Sequence, residues 1–127
     1  MIEVLNSAMT GHPIITTIHA MDLNSMPTRI ARMVLMNEQK QDFDILMQDV
    51  YYNFRFYVYL RRVINKNGIV QRYVEEVAEF DQKGRKSRIY WCKKGEKHIE
   101  KIRPEVLEYL DYEDEKEFQK FFVEGDK

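Results

Sequence analysis

The chain has 127 residues, 44% hydrophobic and 32% charged, with a formal net charge of −1. That length suits one domain with a sizeable core, and the composition excludes wholesale disorder and, over the chain as a whole, a polyanion binder. Cys92 is the single cysteine, which excludes an intramolecular disulfide and fits a reducing, cytoplasmic setting. No apolar run approaches the ~20 residues needed to span a bilayer, and the first residues lack the basic stretch of a signal peptide.

Residues Ile2 to Met9 are predicted as a helix, with Ile2, Leu5, Ala8 and Met9 on one face. Gly11 is the residue type that ends helices in the left-handed conformation. Pro13 then forbids helix, and Ile14-Ile15-Thr16-Thr17-Ile18 is a β-branched run suited to a strand covered on both faces. Asn24 or Ser25 can cap the next helix, Pro27 suits its first turn, and Ile30, Met33, Val34 and Asn37 form its stripe. A further helix follows from Phe43, Leu46, Met47, Val50 and Phe54.

Strands come next. In "RFYVYLRRVI" the residues Phe56, Val58, Leu60 and Val63 alternate with Tyr57, Tyr59 and Arg61, predicting a half-buried strand with the first set inward. "NKNG" (65–68) reads as an Asn-Gly hairpin turn with positive φ at both central positions. "IVQRYVEEVAEF" returns, and "DQKGR" turns into "KSRIYWCKK", completing a three-strand antiparallel meander. Pro104 to Phe122 reads as one or two helices carrying Val106, Leu107, Leu110, Phe118, Phe121 and Phe122. The expected domains are therefore 1–54, an α/β portion; 55–95, the meander; and 96–127, an acidic helical tail.

The near-neutral total hides an asymmetry. Lys83 to Arg103 holds nine basic and two acidic residues, a charge of +7, whereas Pro104 to Lys127 holds three basic and nine acidic residues, a charge of −6. Adjacent blocks of opposite sign can neutralise each other in the fold. The first strand is predicted as parallel and buried, yet no parallel partner for it follows, so the chain reads as the end of something larger.

The chemistry concentrates in "TGHPIITTIHA", Thr10 to Ala20, where His12 and His19 flank the β-branched run. Histidines at strand ends are commonly capped, solvated side chains. His12 and His19 are seven apart, and Cys92 and His98 add no CxxC element, so no metal site is expected. Thr10-Gly11-His12 followed by Thr17-Ile18-His19-Ala20 resembles the histidine box of the type II/type IV secretion ATPases. These are hexameric motors of secretion systems, type IV pili and conjugation, with a RecA-like core. "RIARMVLM" (29–36) resembles the helix that follows the box, and "LRRVINKNGIVQRYVEEVAEF" resembles the meander of the conjugation and tight-adherence branch. The resemblance covers about residues 1 to 80. Pro13 is followed directly by Ile14, where the conjugation branch commonly has Gly-Ser; the shorter spacing is typical of the pilus-retraction and type II branches.

The resemblance implies an α/β fold that is the C-terminal part of a RecA-like core, followed by the three-strand meander and a C-terminal helix. It implies that His19 ends a core strand near the γ-phosphate and senses or positions there, with His12 as second participant. Thr10, Gly11 and Thr17 would shape the loop. Arg29 and Arg32 would either form a solvated helix face or serve a phosphate or subunit interface. The parent motor would take ATP and Mg. None of Gly11, Gly68, Gly84, Gly95 and Gly125 is followed by Lys-Ser or Lys-Thr, so there is no G-x-x-x-x-G-K-[ST] phosphate cradle and no cofactor is expected on this chain alone. The family places that loop upstream of the box, so the resemblance implies that this chain is a C-terminal segment whose partners are further copies in a hexamer and secretion or conjugation proteins at the inner membrane face. A cytoplasmic location, peripheral to the membrane through those partners, follows. The competing class is a nucleic-acid-binding or protein-docking module, because "KGRKSRIYWCKKGEKH" interleaves basic residues with Tyr90 and Trp91.

Overall fold

The computed structural model describes residues 1–37 and 40–100. Among them three helices are followed by a four-stranded antiparallel sheet, an α/β arrangement: α1 Ile2–Met9, α2 Met26–Leu35, α3 Phe43–Asn53, then β1 Phe56–Ile64, β2 Val70–Phe80, β3 Lys86–Lys93 and β4 Glu96–Ile99. The strands lie in chain order, β1-β2-β3-β4. The meander thus gains a strand over the three expected. Residues 96–99, expected within the acidic tail, belong to the sheet. The helices expected between Pro104 and Phe122 lie outside the described residues.

Each helix begins or ends for a local reason. The Asp42 carboxylate accepts from the N–H groups of Asp44 and Ile45 at 2.9 and 3.2 Å, capping the first turn of α3. Ser25 occupies the position before α2, but its hydroxyl donates to the Asp22 carbonyl at 3.0 Å instead of capping, and Pro27 supplies the pre-set first turn. One core joins the layers. Leu5 of α1, Ile30, Ala31 and Val34 of α2, and Leu46 and Val50 of α3 pack with Tyr57, Ala78 and Phe80 from one end of the sheet. Tyr57 meets Phe80 edge to face at 5.2 Å, and Tyr51 stacks on Phe80 at 5.8 Å, both favourable ring arrangements.

The inward face of β1 is the reverse of the expected one. Tyr57 is buried and Tyr59 half-buried, while Val58 and Leu60 are exposed. Alternation fixes that the two sets separate, not which of them meets the helices. The helices meet the tyrosines, whose rings supply the greater apolar body, and the Tyr59 hydroxyl donates to the Met21 carbonyl at 2.8 Å. The positive φ expected at two positions of the first hairpin is found at one, Gly68. There the Asn65 side chain accepts from the N–H groups of Asn67 and Ile69, both at 2.9 Å, so an Asx turn organises the loop. Asp81 repeats the device, accepting from Lys83 and Arg85 N–H, with Gly84 at φ +79°. Partial desolvation pushes the Asp81 carboxyl up, but the backbone and guanidinium hydrogen bonds of Arg85 and the Lys83 N–H outweigh it and hold the group below its ordinary value. The two-residue turn with both φ values positive is Lys94-Gly95, between β3 and β4.

Candidate functional site

The stretch from Thr10 to Ala20 begins as a helix cap. Gly11 takes φ +83° and its N–H donates to the Ala8 carbonyl at 3.0 Å, while the His12 N–H reaches back to Ser7 at 3.2 Å. That pair of bonds is the Schellman arrangement, which needs a left-handed residue and therefore favours glycine. The Thr10 hydroxyl donates to the Ser7 carbonyl at 2.9 Å and lies 3.0 Å from His12 Nδ1. A hydroxyl carries one proton. With that proton given to Ser7, the Thr10 oxygen is free to accept from an N–H at His12 Nδ1. Thr10, Gly11 and His12 are thus brought together, all exposed, by the end of α1.

The run between the histidines differs from expectation. No strand forms over residues 12–20; Ile15 is fully exposed, and Thr16 and Thr17 are exposed. A strand exists only where a neighbour takes its hydrogen bonds, and the meander runs elsewhere: none of its strands pairs with this segment. At the far end Ile18 and Ala20 pack against the core while His19 between them is exposed. The chain beyond is pinned to the sheet, by Tyr59 to Met21 and by Lys86 Nζ donating to Asn24 Oδ1 at 2.8 Å. Leu23 is buried beside these ties.

Arg29 and Arg32 are both exposed on α2, three residues apart and so neighbours on one helix face. Among the described residues no hydrogen bond or ion pair joins His12, His19, Thr17, Arg29 or Arg32 to one another, and no group of three or more His, Cys, Asp or Glu side chains is arranged to hold a metal ion. A shallow cleft of about 470 Å³ lies apart from the box, lined by Met47, Tyr51, Tyr52 and Lys83.

Sequence patterning missed two polar features. Glu79 is fully buried and accepts from Arg55 Nη2 at 2.7 Å; an acid inside an alternating strand carries no signal of burial. The second is a cluster on the meander. Glu76 holds both Lys86 and Arg88, the Arg88 guanidinium sits 4.7 Å over Trp91, and Trp91 stacks on His98 at 5.0 Å. β4 makes that last contact by pairing His98 with Trp91. Its signal was the Lys94-Gly95 turn between two β-prone runs. Within the basic stretch, Arg85, Lys86 and Arg88 are therefore engaged by Asp81 and Glu76, and the indole is engaged by its own chain.

No family model, curated protein or solved structure matches the chain. Among the described residues no helix is long and apolar enough to cross a membrane.

Proposed function

We propose that this chain is the C-terminal segment of a hexameric secretion or conjugation motor ATPase, contributing the histidine box and a partner-docking surface to a RecA-like core. The observation that carries the reading is the box itself: a Thr-Gly-His helix cap, then an apolar run with no strand partner among the described residues, then an outward-facing His19 between two inward-facing neighbours. A β-branched run that leaves Ile15 fully exposed has the composition of a strand without a partner among the described residues, as expected of a segment whose neighbouring strands belong to the rest of the motor. In that setting His19 is the phosphate-sensing imidazole, and His12, held by Thr10, orients the loop.

ATP with Mg is the cofactor of the assembled motor and would supply the cleaved phosphoanhydride. His12, His19, Arg29 and Arg32 offer donors and charge of the kind such a site uses, and Thr10, Gly11 and His12 share one cap, but among the described residues no hydrogen bond or ion pair joins His12, His19, Arg29 and Arg32 to one another. They supply no nest of backbone N–H groups to surround a triphosphate. The reading therefore gives this chain no nucleotide site of its own, and places its activity in the cytoplasm against membrane-bound partners.

Two measurements test it. A fluorescent ATP analogue should show no binding to this chain; micromolar affinity would overturn the reading. In the motor that contains this segment, His19→Ala should lower kcat by roughly 10²-fold with nucleotide binding retained, on the scale of a lost proton-positioning group. Unchanged turnover there would remove the phosphate-sensing role.

A further inference from the structure

The first hairpin outruns the rest of the sheet. Among the described residues β3 pairs with β2 only from Glu76 to Phe80, whereas β1 pairs with it as far as Ile64 opposite Val70. Residues 60–74 therefore form a two-stranded arm that reaches roughly 20 Å beyond Glu76 at the usual rise per residue. The Asn65 side chain, accepting from Asn67 and Ile69 N–H, fixes the turn at its end, so the tip is pre-shaped. Three apolar side chains lie at that tip. Ile64 and Val70 stand opposite each other, and the Ile69 carbonyl accepts from Asn65 N–H at 3.0 Å. Ile64, Ile69 and Val70 are 61%, 57% and 38% exposed.

Charge surrounds them. Residues 60–73 contain Arg61, Arg62, Lys66 and Arg72 and no acidic residue. Glu75 engages Arg61 at 2.7 Å, but among the described residues no ion pair engages Arg62, Lys66 or Arg72, and all three are exposed. Arg62 stands directly opposite Arg72, a like-charged pair that is unfavourable by itself and that an anion relieves.

We propose that this tip docks directly on an anionic lipid bilayer, with Ile64, Ile69 and Val70 entering the acyl boundary and Arg62, Lys66 and Arg72 meeting the lipid phosphates. The depths agree. Arg62 and Arg72 lie two residues behind the Ile64–Val70 pair, about 7 Å along the strands, and an interfacial apolar surface sinks roughly 5–10 Å. Tyr73, 37% exposed and opposite Arg61, comes next, at the level where an amphipathic ring suits the membrane–water boundary. A bilayer meets both needs of the tip, an apolar layer for the isoleucines and anions for the cations. Single-stranded nucleic acid supplies phosphates but no apolar layer, and a second copy of the arm would repel the first.

The test is co-sedimentation of the full chain with vesicles of phosphatidylcholine carrying about one-third phosphatidylserine, against phosphatidylcholine alone. At about 0.15 M salt partition onto the anionic vesicles should be stronger by about tenfold or more. Arg62→Gln with Arg72→Gln should lower it roughly 25-fold, about fivefold per cation. Ile64→Ser with Ile69→Ser should lower it about tenfold, with far-ultraviolet circular dichroism preserved, because deleted apolar carbons no longer leave water. Equal partition onto both kinds of vesicle, or either double variant binding like the parent, would overturn the proposal. So would release from the vesicles by short single-stranded DNA at equal phosphate concentration, which would favour nucleic acid instead. A second readout leaves the tip charges in place. Ile69→Cys in a Cys92→Ser background carries an environment-sensitive nitrobenzoxadiazole label, with Met36→Cys, exposed at the end of α2, as control. Emission from the label at position 69 should rise and shift to the blue on anionic vesicles while the control stays constant. No change at 69, or an equal change in the control, would also overturn it.

Discussion

Arg55→Met is the substitution whose cost the structure fixes most closely. Arg55 stands just before β1, its carbonyl accepting from Phe80 N–H at 2.9 Å, and its Nη2 donates to Glu79 Oε1 at 2.7 Å. The Glu79 side chain has no exposure and that of Arg55 has 24%. At an effective dielectric of about 20, two unit charges near 4 Å interact by about 4 kcal/mol. Breaking a buried ion pair from one side costs about 3–5 kcal/mol. The chain as a whole is expected to be stable by only about 5–15 kcal/mol. The loss should therefore be obvious in urea unfolding followed by Trp91 fluorescence, as a midpoint lowered by roughly 2 M for a slope of about 1–3 kcal/mol per molar. Replacing both partners, Arg55→Met with Glu79→Leu, removes the buried charge with its partner and should restore most of the stability. A single variant within about 1 kcal/mol of the parent, or a double variant no better than the single, would refute the reasoning.

The Tyr57 hydroxyl is buried and finds no hydrogen-bond partner among the described residues, so Tyr57→Phe should stabilise the chain by about 1 kcal/mol, readable as a raised urea midpoint. Burial, and next the neighbouring Tyr51, push the Tyr57 phenol above its ordinary value of 10.0. The folded state thus holds the protonated form more tightly than the unfolded state does; its contribution is complete below pH 10 and is lost as pH rises beyond it, a loss Tyr57→Phe should abolish. Gly84→Ala places a Cβ 2.8 Å from the Tyr51 ring at a φ of +79°. Strain and overpacking together should cost about 1–3 kcal/mol by thermal unfolding, with Gly68→Ala, whose Cβ meets nothing within 4 Å, costing less.

Helices were legible because their signals are local. Apolar spacing marked α1, α2 and α3, and Gly11 marked the end of the first. The meander was legible for the same reason, since Asn65-Gly68 and Asp81-Gly84 are short-range turn chemistry. What failed depended on distant neighbours. Alternation in β1 gave two faces but not the one that the helices would meet, and Tyr57 took the place expected of Val58. The run Ile14 to Ile18 has the composition of a strand, but composition supplies no partner for its hydrogen bonds. Burial of Glu79 likewise depends on Arg55, 24 residues earlier.

These two kinds of signal divide the histidine box itself. Thr10, Gly11 and His12 are set by contacts within five residues, since the cap closes on Ser7 and Ala8. Their geometry therefore depends on α1 and its cap alone. Thr17 and His19 lie on a segment whose first half finds no ladder among the described residues and whose second half is anchored by Ile18, Ala20 and the Tyr59–Met21 bond. A strand forming on the first half would act on residues already held at both ends, by the cap and by the core. Its ordering cost is then smaller than for a free peptide, because loop closure is already complete. His12 thus has its backbone position from the cap and its ring contact from the Thr10 hydroxyl, whereas His19 is placed by the core contacts of Ile18 and Ala20 on either side of it.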